Sequence, residues 1–496
     1  MPVSLRALCF LLPISILPAV IFLMIWPGKQ TAKWIFIWLA VTAAAFISPS
    51  PFVYMGFLAS VCFFCCGKDE QNKVLGFFLL LPAVHASVGY EIPGLVPGVR
   101  YWFFLNHARG LILFILLPLF FRIMAAPSWR NRLVLAMPTD KYMLAYLVLL
   151  SGLCFRAPTL TEIFRQIMLK WVDIFLPYYV ISRSIRDERS LRHVFWAILL
   201  SSGFLSAAGL FEEVKKWDPY GATGALGGRT FFGSMGRMGI LRVQTTFGQP
   251  IAFGFFLMIG IAGIFLFWRD LRKKLFPALV LVLLVFLALL LTVSRGPWVG
   301  AVAFVVLWFL TLQLSKKMRF LVMLVGAGLA LLPFFLGTPL GRKVIQALPY
   351  IGTQEQETVD YREQLWTIGF DTAKKNPWFG SSAFREDEEL KQLEVGGLID
   401  VTNTYLQVAL ASGFTGLFLF GMIFLSLLLR LLKAFRSAQD DIGYREAGRT
   451  LFCLTVALLV VLATVSSISY IPYYYWSFVG LSAGYLCLKK ISSDKA

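Results

Sequence analysis

Long apolar runs separated by short basic connectors set the pattern of this chain. Leu275–Val293, Pro297–Leu314, Phe320–Gly337 and Leu451–Ser466 carry almost no polar residue. Each approaches the ~20 apolar residues with which a helix crosses about 30 Å of hydrocarbon. A helix of a water-soluble domain would show a polar face at helical spacing, and these runs have none. The pattern therefore predicts an all-α, polytopic integral membrane protein of about 12–15 transmembrane helices, with one large polar loop. Further spans are expected near residues 7–26, 33–49, 52–66, 74–90 and 107–122. The first is read as a retained span, because it lacks a small-residue cleavage site.

Charge orients these spans, since Lys and Arg in short loops stay cytoplasmic. Lys489 and Lys490 near the end and the connectors 433–449, 316–319, 269–274 and 183–192 are basic and are assigned to that side. Three stretches then face outward: Lys215–Thr246, the tight turn Ser294–Pro297, and Thr338–Asn403. Ser467–Tyr474 becomes an external turn. The chain divides into N-terminal helices (1–190), central helices with a basic loop at 215–246 (191–337), a large extracytoplasmic loop (338–403) and C-terminal helices (404–496). No inverted repeat relates the halves, which argues against a secondary transporter.

Composition agrees with the pattern. Of the 496 residues 58% are hydrophobic and 15% charged, against roughly 45–50% and about 25% in soluble domains. The formal net charge of +19 sits at span ends. No basic stretch is interleaved with stacking aromatics, so no nucleic-acid partner is expected. The seven cysteines lie in or beside apolar spans and imply no disulfide framework. The three histidines are scattered, so neither a metal nor another cofactor is expected.

Some polar residues interrupt this pattern. Thr161–Ile181 carries Glu162, Arg165, Gln166, Lys170 and Asp173, with Glu162 and Arg165 spaced to pair. It reads either as a helix facing a polar cavity or as an amphipathic helix along the surface. The loop 215–246 sets Lys215, Lys216, Arg229, Arg237 and Arg242 against Asp218, among seven glycines. Outward loops normally avoid such a surplus. Arginine forks and close-approaching glycine backbone suit a phosphate or diphosphate; a merely solvated loop is the alternative. Arg295, between two apolar spans, either serves such a site or snorkels to the interface. The loop 338–403 is acidic, with eleven carboxylates against seven basic residues. Within it Asp360–Trp366 opens an amphipathic helix, and Asn376-Pro-Trp-Phe-Gly380 ends it.

Three ordered segments together resemble the O-antigen ligase/polymerase family of bacterial envelope glycosyltransferases. They are Arg242-Val-Gln-Thr-Thr-Phe-Gly-Gln-Pro250 leading to Gly254, Thr292-Val-Ser-Arg-Gly-Pro-Trp298, and Tyr361–Trp366 through Asn376–Gly380 to Asn403–Gly416. The resemblance covers roughly residues 190–435. It implies a chain of the bacterial inner (cytoplasmic) membrane acting on a polyprenyl-diphosphate-linked glycan donor and a glycan or lipid acceptor, with membrane lipids and other polysaccharide-assembly proteins as further partners. Arg229, Arg237, Arg242, Gln249 and Arg295 are then expected to bind substrate, Asn403 to orient the acceptor, and Arg362, Asp400 and Glu363 to act catalytically. Ligases of the family commonly carry His before the Asn matched by Asn403; here that residue is Thr402, and the Phe-x-His-Pro variant reads Phe247-Gly-Gln-Pro250. The departure shifts the expected base to Asp400, Glu363 or Asp360, or to a donor phosphate oxygen, and favours a polymerase or a divergent ligase. A lipid-linked glycan flippase and a non-catalytic assembly partner are the alternatives.

Overall fold

The computed structural model describes residues 3–67, 69–94, 101–126, 137–226, 236–237, 240–312, 317–318, 321, 356–394, 399–437 and 441–488. Its elements are α1 (Val3–Ile25), α2 (Lys29–Ile47), α3 (Pro51–Cys65), α4 (Glu70–Leu80), the strands β1 (Gly89–Pro93) and β2 (Tyr101–Asn106), α5 (His107–Ala125) and α6 (Asp140–Leu153). Helix α7 (Leu160–Lys170) continues through a π-helical turn, Trp171–Phe175, into α8 (Leu176–Ser184). Then come α9 (Glu188–Lys215), the short strands β3 (Gly236–Arg237) and β4 (Ile240–Leu241), α10 (Pro250–Leu266), α11 (Trp268–Leu291) and α12 (Arg295–Leu310). Last are α13 (Gln356–Lys375), α14 (Thr404–Ser437), α15 (Ile442–Leu462) and α16 (Ile471–Leu486). The protein is a multi-pass, all-α membrane protein: among the described residues α1, α2, α5, α9, α11 and α14 are each long and apolar enough to cross, and α3, α10 and α12 are shorter apolar helices. The span expected at Phe320–Gly337 lies outside the described residues, apart from Leu321.

Helix α9 is the central pillar, packed against α1, α4, α10 and α11. Its small residues permit close approach. A Cβ on Gly203 would meet Phe22 of α1 at 3.1 Å, and one on Gly260 of α10 would meet the Ser202 hydroxyl at 2.5 Å. Helix α16 seats on α8 in the same manner, with Gly480 and Gly484 against the Tyr178 and Ser182 carbonyls.

The connectors sort to two ends. At one end, Arg186 pairs with Glu70, Arg192 with Asp270 and Arg269 with Glu446. At the other, Thr246 bonds to Pro82 and Ala86, Ser469 to Phe247, Tyr470 to Val84, and Thr404 to Val465. The basic connectors 183–192 and 269–274 thus share one end, opposite the turns at 242–247 and 467–470.

Two expectations change. The span near 74–90 stops at Leu80, because Pro82 follows and the chain turns into the β1–β2 ribbon. The charges of 161–181 neither line a path nor lie bare on a surface. Arg165 pairs with Glu162 and donates to the Tyr101 and Trp102 carbonyls of β2. Asp173 takes a two-pronged bond from Arg109, at 2.8 and 3.1 Å.

The segment 356–394 and the start of α14 share a small separate core, in which Leu365, Phe384, Leu390, Leu393, Ile399 and Leu406 pack together. The turn Asn376–Gly380 docks backbone to backbone on a break in α14. Gly413 there has φ +71°, Phe414 N–H donates to the Pro377 carbonyl, and Ser381 N–H donates to the Leu410 carbonyl. A Cβ on Gly413 would stand 2.3 Å from the Trp378 backbone, so only glycine fits. Arg156, beyond α6, donates to the Phe379 and Gly380 carbonyls.

Candidate functional site

Arg242 leaves β4 in an extended segment that runs beside the turn between α11 and α12. Val243 N–H donates to the Leu291 carbonyl, Arg242 Nε to the Thr292 carbonyl at 3.1 Å, and Arg242 Nη2 to Ser294 Oγ at 3.0 Å. Ser294 stands at the N-cap of α12, yet its hydroxyl donates to the Thr292 carbonyl and caps nothing. The first turn of α12, where Arg295 sits, therefore keeps the positive end of its dipole. Two β-branched residues flank these arginines in the left-handed region, Thr245 at φ +48° and Val293 at φ +44°. Such backbone costs of order 1–3 kcal/mol and persists where the surroundings impose it. At Thr245 the imposing group is Glu212, wholly buried, whose carboxylate accepts the Gln244 and Thr245 N–H groups. Asp218 assists by accepting from Gln244 Nε2 at 3.2 Å. Burial pushes the Asp218 carboxyl up, against the Gly221, Gln244 and Tyr220 donors.

Arg362 arrives from the other side, on the first half of α13. Its Nε is buried with no hydrogen-bond partner among the described residues. Burial lowers its pKa, the neighbouring Arg295 lowers it further, and Asp400 opposes both. Burial, and then the charge of Arg362, bring Arg242 down to about 10. Three guanidinium groups from three separate segments thus stand within electrostatic reach of one another. Asp400 offsets part of the mutual repulsion of such a cluster, and a polyanion would offset more.

Beside the arginines lies a cavity of about 230 Å³ lined by Arg362, Trp366, Thr402, Asn403, Thr464 and neighbouring apolar side chains. Gly296 brings α12 against its wall: a Cβ there would stand 2.3 Å from Thr464 Oγ1. Asp400, two residues before Thr402 of that wall, is held by Ser466 Oγ donating to its Oδ1 at 2.8 Å and by Tyr361 donating to its carbonyl at 3.1 Å. Asn403 caps α14, its Oδ1 accepting from Tyr405 and Leu406 N–H. Capping takes the oxygen and leaves the Nδ2 donors out of that role.

Of the residues expected from sequence, Arg242, Arg295, Arg362, Asp400 and Asn403 come together. Gln249 is buried at the start of α10, two residues beyond Phe247. Glu363 is exposed and is not part of the cavity wall. Arg229 lies outside the described residues; Arg237 is placed in β3 and its side chain is not among those described. Sequence reading gave no site role to Glu212, Ser294, Thr464 or Trp366. The first signalled itself only as an acid at the end of an apolar helix, and the others are common types whose place depends on the fold.

No curated protein matches the chain. Residues 279–421 match the family model described as O-Antigen ligase. That match supports a glycosyltransferase-like activity of the O-antigen ligase kind, with lipid-linked glycan and acceptor as substrates. Over this stretch, which holds Arg295, Arg362, Asp400 and Asn403, the chain is similar to the O-antigen ligase family.

Proposed function

We propose that this chain is a metal-independent, inverting glycosyltransferase of the bacterial inner membrane. It polymerises or transfers a polyprenyl-diphosphate-linked oligosaccharide on the extracytoplasmic face. The observation that carries the reading is the convergence of Arg242, Arg295 and Arg362, with the Arg362 Nε buried and unpartnered among the described residues, near Asp400 and on the wall of a cavity.

The chemistry follows from those positions. The diphosphate of the donor sits among the three guanidinium groups and the N-terminus of α12. Charge builds on its bridging oxygen as the bond to the anomeric carbon breaks, and preorganised cations stabilise that charge more than they stabilise the intact donor. The acceptor hydroxyl attacks the anomeric carbon from the face opposite the diphosphate, which inverts the centre. Its proton passes to Asp400, which Ser466 and Tyr361 hold in place. Lipid diphosphate then leaves. Asn403 offers Nδ2 to orient the acceptor. Glu363, exposed and off the cavity wall, is the weaker candidate for base.

The test is deletion of the gene in its host, with envelope glycans read by gel and mass spectrometry and complementation by Arg362→Ala. Single repeat units where the parent makes long chains, unrestored by the variant, mark a polymerase. Full-length chains stranded on the lipid carrier mark a ligase. An unchanged profile overturns both.

A further inference from the structure

Trp366 is unusual among the residues of the site. It is 52% exposed although it lines a cavity, and its ring stacks near-parallel on Phe370 at 6.0 Å and 13°. Phe370 is braced edge-on by Phe414 of α14, also at 6.0 Å. The indole therefore does not fill the core; it is held with aromatic surface open to the cavity. The rest of the lining mixes apolar Leu365, Leu406 and Ala463 with polar groups. Asn403 has its Oδ1 engaged in capping and presents Nδ2, Thr464 Oγ1 spends its proton on the Val461 carbonyl and keeps acceptor lone pairs, and Thr402 adds a further hydroxyl. Arg362 closes the end nearest the arginine cluster.

An open aromatic face set against hydroxyl and amide groups suits a ligand that is apolar on one side and hydroxylated around its edge. A pyranose ring is such a ligand: its axial C–H bonds form an apolar patch, and its hydroxyls radiate in the ring plane. A lipid chain would fit the apolar part of the lining but leave Arg362, Asn403 Nδ2 and the Thr402 and Thr464 hydroxyls unmet. A nucleobase would suit the ring, but the chain carries no feature that expects one.

We propose that Trp366 is the stacking platform of a sugar subsite, and that Asn403, Thr402 and Thr464 read the edge of the ring it carries. This rests on the glycosyl-transfer reading above and deepens it: the subsite adjoins the diphosphate pocket through Arg362, so it takes a pyranose next to the bond that is made or broken.

The experiment uses the purified full chain in detergent, with two probes read separately. Saturation-transfer NMR follows a panel of methyl hexopyranosides, and calorimetry follows inorganic pyrophosphate. Trp366→Phe, Trp366→Leu and Trp366→Ala are compared with the parent after their melting temperatures are shown to match. The expected result is saturation of axial ring protons by the parent, partial retention in Trp366→Phe, and about tenfold weaker signal in Trp366→Leu and Trp366→Ala. Pyrophosphate binding should be the same in all four. Equal sugar signal in Trp366→Ala, full retention in Trp366→Leu, or no hexopyranoside signal from the parent overturns the platform. Pyrophosphate failing to bind the parent while the sugar signal still depends on Trp366 overturns the diphosphate reading instead and leaves the platform standing.

Discussion

Arg183 and Arg362 are both arginines of the helical body, and the protein treats them oppositely. Arg183, at the end of α8, meets Asp140 fork to fork at 2.8 and 3.1 Å, with both side chains about 1% exposed. Tyr178 and the Met137 N–H complete the carboxylate, and the guanidinium lies over the Tyr179 ring at 4.0 Å. Arg362 is placed beside two other arginines, with one buried nitrogen left without a partner among the described residues. The first arrangement is complete among the described residues and serves stability. The second sets like charges together with a buried donor left open and only Asp400 to offset them, and it is this donor that the proposed function gives to the diphosphate.

The sharpest way to break the comparison is to remove one member of each arrangement. Asp140→Ala strands a wholly buried guanidinium, and a broken buried pair costs about 3–5 kcal/mol. The expected outcome is a large fall in melting temperature and in the amount of folded protein, partly restored by Arg183→Met in the same chain. A full-strength melting transition in Asp140→Ala would mean that the pair is not a structural tie.

Arg362→Ala should do the reverse. It removes a like charge and an unpartnered donor, so the melting temperature should hold or rise, while glycan product falls about a hundredfold, the order of effect seen when one oxyanion donor is deleted. A loss of folded protein equal to the loss of product would erase the distinction between the two arginines.

The distinction was only half legible in the sequence. Periodicity and run length gave the helices, because a bilayer admits little else. Arg242 and Arg295 stood out through glycine-rich or apolar surroundings, and Arg362 through the segment that resembles the family. Their meeting could not be read, since it depends on the Leu291–Val243 backbone bond and on α13 folding back over α14. The residues that hold the site were silent for the same reason. Glu212 looks like any acid at a helix end until its carboxylate is seen capturing Gln244 and Thr245. In the charged helix 161–181 the Glu162–Arg165 pair was legible from its spacing, but the partners Arg109 and β2, more than fifty residues upstream, were not.

A subtler test removes Arg242. Burial and the neighbouring Arg362 both disfavour its cation, so an anion that relieves both gains from it. Pyrophosphate affinity at neutral pH should fall about tenfold in Arg242→Ala, the weight of one charge-assisted contact. Equal affinity in the variant would remove Arg242 from the site.

Arg156 supplies the smallest effect and a third kind of arginine, one that meets only carbonyls. It donates to Phe379 and Gly380 at 3.1 and 2.9 Å from an exposed position. Those carbonyls belong to the turn already seated on the α14 break by Ser381 and Phe414 N–H. Solvent competes for such bonds, so Arg156→Ala should cost about 1 kcal/mol and act locally. The readout is hydrogen exchange at the Ser381 and Phe414 amides, which should speed several-fold with no change in melting temperature. Unchanged exchange would mean that backbone docking through Gly413 holds the turn unaided, and Gly413→Ala, strained at φ +71° and blocked by the Trp378 backbone, should then release what Arg156→Ala does not.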